Sequence, residues 1–181
     1  MCTMANENLW TSELPKSYSR LKQYATDPNS LTARLVNTGL PFGVQIRYQG
    51  PDEQWPDEHA LFEAELGTTL RARHTVLTLD KIPVVVARSL SRYDCPHWGQ
   101  LHECGSHSLG LTLFDKHRPI ERKPFHYRVL QEGHPLFRLA RAEELLSPTD
   151  YLARRRLFIL EGAVLSMCEV FLGGFEKFFT R

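Results

Sequence analysis

The stretch from Leu70 to Arg88 constrains the fold more than any other. Two runs rich in β-branched residues, Thr75-Val76-Leu77-Thr78-Leu79 and Ile82-Pro83-Val84-Val85-Val86, flank Asp80-Lys81. That pattern predicts an antiparallel hairpin on a two-residue turn. A regular ladder then sets Leu79 against Ile82, Leu77 against Val84, Thr75 against Val86 and Arg73 against Arg88, all on one face. Two arginines would oppose each other on a largely apolar surface. Like charges directly opposed are destabilising, and a buried guanidinium needs a partner. An anion is therefore expected near them, from the protein or from a ligand. A one-residue change of register would send Arg88 to the other face.

A second hairpin is expected at the end of the chain. Arg154–Leu160 and Ala163–Leu172 flank Glu161-Gly162, a turn with glycine well placed. Its register puts Phe158 against Leu165, Arg156 against Met167 and Arg154 against Glu169, so that Glu169 shares a face with Leu165, Met167 and Phe171. Between the hairpins, Phe42–Gln49 and Phe125–Leu130 alternate as half-buried strands. Gly50-Pro51-Asp52 is expected to end the first of these, and the acidic stretch to Glu58 to be loop. Helical patterns fall at Pro15–Tyr24, Leu31–Asn37 with Ser30 as N-cap, His59–Leu66 closed by Gly67, Trp98–Glu103 and Pro135–Leu146. Gly105 to Gly110 reads as an elbow before the apolar run Leu111–Phe114.

Composition excludes more than it assigns. The chain of 181 residues is long enough for one domain with a sizeable core, and no repeat or linker divides it. Its net charge of +1 gives no electrostatic case for nucleic acid or an anionic membrane. A helix-turn-helix reading of the N-terminal region fails because Arg34 is the one cation on its second helix. No apolar run suffices for a membrane span, and the N-terminus shows no signal peptide, so a cytoplasmic location is the default expectation. The four cysteines are too scattered for a disulfide scaffold. Cys95-Pro96-His97 and His102-Glu103-Cys104 match no common zinc spacing.

The charged residues inside apolar strands admit two readings. In one, Glu169 pairs with Arg154 across the hairpin, and Arg73 and Arg88 lie at a solvated sheet edge. In the other, Arg73, alone or with Arg88, clamps a substrate carboxylate through its planar fork, while Glu169 stands at the reacting group. His74 points to the opposite face. No serine–histidine–aspartate set, phosphate loop or zinc motif competes.

Four blocks, taken together, resemble the chorismate lyase (chorismate–pyruvate lyase, 4-hydroxybenzoate synthase) family. They are Ser30-Leu31-Thr32 with Arg34; Arg73 with Pro83 ten and Arg88 fifteen residues on; Gly105 with Leu109-Gly110; and Arg154-Arg155, Gly162, Glu169 and Phe171-Leu172. The resemblance implies a single α+β domain over 1–181, a mostly antiparallel sheet with helices and lid loops over an internal ligand pocket. It implies a carbon–oxygen lyase that converts chorismate to 4-hydroxybenzoate and pyruvate for ubiquinone, with a small-molecule substrate and no metal or organic cofactor. Residue by residue, it implies that Arg73 binds the ring carboxylate, that Glu169 sits at the oxygen-bearing end of the ring, that Leu109 contributes its backbone and that Leu31 helps close the pocket. Arg88 or Arg155 is expected to meet the second carboxylate. Residues 1–29 read as an N-terminal extension with a helix, 134–150 as an insertion relative to shorter members, and 173–181 as a differing tail.

Two alternatives remain at this level. One is a non-catalytic aromatic-acid or effector-binding domain of the same fold. Such regulators carry a DNA-binding domain, for which the residues before Ser30 are too few. The other is a diverged lyase acting on a chorismate relative in secondary metabolism.

Overall fold

The computed structural model of the protein describes residues 9–62, 68–102, 105 and 109–180. Both hairpins form and sit side by side in one sheet. The strands are β1 (Phe42–Asp52), β2 (Leu70–Leu79), β3 (Ile82–Arg92), β4 (Glu121–Arg122), β5 (His126–Gln131), β6 (Asp150–Leu160) and β7 (Ala163–Phe171). Their order is β1-β2-β3-β7-β6-β4, with β5 also on β6, and every pairing is antiparallel. The helices are short: α1 (Lys22–Ala25), α2 (Leu31–Val36), α3 (His59–Phe62), α4 (Pro96–His102), α5 (Leu109–Leu113), α6 (Pro135–Arg141) and α7 (Gly173–Phe179). The fold is thus the expected single α+β domain.

The first hairpin turns on Asp80-Lys81, both in the left-handed region with φ of 47° and 66°, as a tight hairpin of this hand requires. Its ladder is not regular. Leu79 pairs with Ile82 and Thr78 with Pro83, but Leu77 pairs with Val85, which leaves Val84 as an extra residue in β3. Pro83 has no N–H to give to a ladder, and a bulge beside it is where a strand tolerates proline. Everything beyond the bulge shifts by one. Arg73 pairs with Ser89, and His74 pairs with Arg88. The expected Arg73–Arg88 opposition is therefore absent, and the two side chains leave on opposite faces.

A second bulge lies in β1 between Ile46 and Tyr48. It corrects two expectations: the strand runs on through Gly50-Pro51 to Asp52, and its side chains change faces on the way. Val44 and Ile46 pair with Leu77 and Thr75, whereas Gln49 pairs with Arg73 and Tyr48 with His74. The acidic stretch is not plain loop either. Pro56–Glu58 forms a 3-10 turn with Glu58 buried. α6 is shorter than the expected Pro135–Leu146 helix. Of the expected His59–Leu66 helix, residues 63–67 lie outside the described residues, as do Glu103 and 106–108.

Each face of the sheet carries its own core. On one, Leu77, Val85 and Phe171 pack with Tyr18, Leu21, Ala25, Leu31, Leu35 and Phe175; on the other, Val76, Val86, Val170 and Ala153 pack with Trp10, Leu130, Leu136, Phe137 and Tyr151. The C-terminal tail is part of the first core, since Phe175 is fully buried and stacks on Phe179 with centroids 4.5 Å apart. Gly174 makes this docking possible: a Cβ there would stand 2.0 Å from the Pro83 carbonyl oxygen.

Candidate active site

Register decides which charged side chains meet. One cross-strand row contains Arg73 (β2), Ser89 (β3), Met167 (β7) and Arg156 (β6); the next on that face contains Thr75, Ala87, Glu169 and Arg154. The intervening row, on the opposite face, is His74, Arg88, Cys168 and Arg155. The arginines of the sheet are thus divided into two sets by the pleat.

On the first face two narrow clefts adjoin, sharing Thr32, Met167 and Glu169 as a common wall. Arg73, Thr75, Ala87, Ser89 and Leu109 line the first, and Leu31, Phe125, Arg154, Arg156 and Phe158 line the second. Short helices roof them. Ser30 caps α2 by accepting from the Ala33 N–H at 3.2 Å, and the same hydroxyl lies 3.5 Å from the Gly110 carbonyl of α5. This tethers the two roof helices to each other.

Arg73 is 2% exposed. Its Nη1 donates to Gln49 Oε1 at 3.1 Å and to the His102 carbonyl at 3.2 Å, and its Nη2 donates to the Gly105 carbonyl. The β1 bulge brings Gln49 to this face, and α4 brings His102. Burial, together with the charges of Arg71 and Arg73, pushes the His102 imidazole down to about 4. It is therefore neutral at pH 7 and adds no charge beside Arg73.

Glu169 lines both clefts and accepts from Arg154 Nε at 2.6 Å. Glu169 thus pairs with Arg154 across the hairpin and at the same time lines the cleft. Arg154 Nη1 also donates to the carbonyls of Tyr24 and Ala25, at 3.1 and 3.0 Å, and the guanidinium lies 4.2 Å over Phe125. Arg156 donates from Nε to the Lys123 carbonyl and from Nη1 to the Pro28 carbonyl, both at 2.8 Å, and stacks 3.9 Å from Phe125.

Arg88 and Arg155 are not brought to the clefts. Arg88, 1% exposed, binds Glu58 bidentately at 2.8 and 2.9 Å, Asp52 at 2.7 Å and His74 Nε2 at 2.8 Å, and lies 3.6 Å over Trp55. Burial opposes its charge, but the hydrogen bonds and charges of Glu58 and Asp52 outweigh this and raise its pKa. Burial and the Arg88 charge push His74 down to about 4. Arg155 donates to the Asp57 carbonyl at 2.9 Å and covers Trp10. Asp57 itself accepts from Trp10, Arg128 and His134 at 2.8 to 3.0 Å. Burial works against its charge, yet these partners hold the carboxyl well below the usual range. The anion that satisfies Arg88 is thus supplied by the protein, from a segment expected to be loop.

Of the expected residues, Arg73, Leu109 and Glu169 meet in one cleft, and Leu31 adjoins them across Thr32. Thr32, Gln49, Arg154 and Arg156 were not assigned to the site from sequence. Alternation in β6 was the available signal, since residues 154 and 156 share a face with Glu169 and 155 does not. Among the described residues, no group of three metal-ligating side chains converges, and no helix is long and apolar enough to cross a membrane.

A single antiparallel sheet with one face roofed by short helices over a charged cleft is an α+β fold shared with solved structures. The effector domain of PhnF from Mycobacterium smegmatis superposes with a TM-score of 0.58 at 14% identity, covering 80% of this chain and 89% of that one. No family model matches the chain. The sequence is 37% identical to a "Probable chorismate pyruvate-lyase" of Aromatoleum aromaticum, over 87% of either chain. It is 34% identical to one of Azoarcus sp. strain BH72, over 93% of this chain and 92% of that one. The protein belongs to the chorismate pyruvate-lyase family.

Proposed function

We propose that the protein is a lyase that converts chorismate to 4-hydroxybenzoate and pyruvate, with Arg73 on the ring carboxylate and Glu169 at the oxygen-bearing end of the ring. The observation that carries this reading is the meeting of Arg73 and Glu169 in one cleft, on adjoining rows of the same sheet face. The likeness to relatives named for this reaction supports it. The Arg73 guanidinium is held at Nη1 by Gln49 and the His102 carbonyl and at Nη2 by the Gly105 carbonyl, which fixes the plane in which its fork would meet a carboxylate.

The reaction is an elimination. A proton leaves the hydroxyl-bearing ring carbon, the neighbouring bond to the enolpyruvyl oxygen breaks, and the ring becomes aromatic. The departing enolpyruvate takes up a proton at its methylene carbon and becomes pyruvate. Glu169 orients the hydroxyl and assists the proton's departure, and Arg154 fixes the carboxylate in place. Burial of the clefts strengthens each of these contacts.

The test is incubation with chorismate, following both products. The wild type should release 4-hydroxybenzoate and pyruvate in equal amounts. Arg73→Met should lower 4-hydroxybenzoate affinity roughly 10- to 100-fold, the worth of a lost charge-assisted pair. Glu169→Gln should cut kcat by roughly 10²- to 10⁴-fold while binding product within a few-fold. Near-normal turnover by Glu169→Gln would remove the acid–base role, and tight 4-hydroxybenzoate binding without any turnover would make the protein a binding module.

A further inference from the structure

Chorismate is a dianion, and Arg73 accounts for one carboxylate. We propose that Arg156 anchors the other, the carboxylate of the enolpyruvyl side chain, so that the second cleft holds that side chain and then the departing three-carbon acid. This rests on the lyase reading and names the residue that recognises the second half of its substrate.

Placement is the first argument. Arg73 and Arg156 occupy one cross-strand row with two strands between them, and Glu169 lies on one of those strands in the next row. Three strand spacings set their Cα atoms about 14 Å apart, a gap that two inward-reaching arginines and a short dianion can fill. A ring whose carboxylate faces β2 therefore presents its hydroxyl end to β7 and its ether side chain toward β6.

Charge is the second argument. Arg154 and Arg156 line the same cleft, but only Arg154 has a carboxylate, at 2.6 Å on Glu169. Arg156 is 7% exposed and donates to two neutral carbonyls, and among the described residues no acidic side chain pairs with it. Burial and the neighbouring Arg154 lower its pKa, and the charge of Glu169, which is bound to Arg154, opposes them only in part. Arg88, on the other face, shows the alternative: a buried arginine with its acids supplied by the fold. The cleft around Arg156 is otherwise walled by Leu31, Phe114, Phe125 and Phe158, which suits a small acid whose apolar methylene needs cover.

The test compares ligands that differ only in the second carboxylate. Arg156→Gln should lower kcat/KM for chorismate about 10- to 100-fold but leave 4-hydroxybenzoate affinity within about threefold. Arg156→Lys should recover part of the loss. The wild type should bind 3-(1-carboxyvinyloxy)benzoate at least about tenfold more tightly than its side-chain methyl ester, and Arg156→Gln should abolish that preference. Equal losses for chorismate and 4-hydroxybenzoate would make Arg156 a strut for the Pro28 and Lys123 carbonyls and overturn the proposal. So would an unchanged kcat/KM, or a wild type indifferent to the ester. If Arg156→Gln does not fold, the wild-type ester comparison and Arg156→Lys decide. Failure of the lyase reading would show separately, as a wild type that never turns over chorismate.

Discussion

Arg88→Met tests the division of arginines between faces. Methionine keeps much of the aliphatic stem but removes a guanidinium that is 1% exposed and bound to Glu58, Asp52 and His74. Glu58, itself 3% exposed, is then left as a buried carboxylate without its cation. Breaking one side of a buried pair costs about 3–5 kcal/mol. For a chain of this length each kcal/mol moves Tm by about 2–4 °C, so the melting temperature should fall by roughly 6–20 °C. Urea denaturation at pH 7, followed by far-ultraviolet circular dichroism, measures the loss directly. Adding Glu58→Gln should recover much of it, because the stranded charge disappears. Below the melting transition, calorimetric titration with 4-hydroxybenzoate should give an affinity within about threefold of wild type, since Arg88 leaves the sheet away from the clefts. A variant that kept its stability but bound the ligand more than about tenfold worse would put Arg88 at the site and refute the bulged register.

Two further perturbations read the same structure elsewhere. His74 and His102 have folded-state pKa values near 4, below the ordinary 6.5. The unfolded chain therefore binds more protons between these values, and the stability held above about pH 6.5 is lost as the pH falls toward 4, on the order of 3 kcal/mol per histidine. Urea midpoints measured from pH 7.5 to 4 should show this slope, and His74→Gln should make it shallower; a flat profile would mean that these imidazoles are not held neutral. Gly174→Ala places a methyl 2.0 Å from the Pro83 carbonyl oxygen and 3.0 Å from Ile82 Cγ2. The C-terminal helix must then shift off β3 at a cost of about 1–3 kcal/mol, and a urea midpoint equal to wild type would show that this docking is loose.

Local pattern was enough for both hairpins and their turns, because alternation, β-branched residues and turn chemistry act over a few residues; the α+β class came from the resemblance of motifs. The final hairpin's register was legible to the last pair, Arg154 with Glu169, since the two-residue turn at Glu161-Gly162 leaves little freedom. The resemblance of motifs was enough for Arg73 and Glu169 as the pair to watch. The same β6 alternation also placed Arg156 beside Arg154, on the face opposite Arg155. The choice of Arg155 for the site came instead from the second-carboxylate question, which strand pattern alone does not answer.

Tertiary structure decided what the arginines face. One extra residue beside Pro83 inverts every side chain beyond it, and so turned Arg88 from the expected partner of Arg73 into the centre of a buried cluster on the far side. A bulge in β1 brought Gln49 to Arg73 in the same way. The acids that neutralise Arg88 come from Asp52 and Glu58, 36 and 30 residues away in sequence, and no local pattern links them to it. The sequence determined that the chain would bury arginines inside a sheet. Which groups each of them meets, the acids of Asp52 and Glu58 or the cleft on the other face, depends on pleat register and long-range packing, because a shift of one residue moves a charge from one side of the sheet to the other.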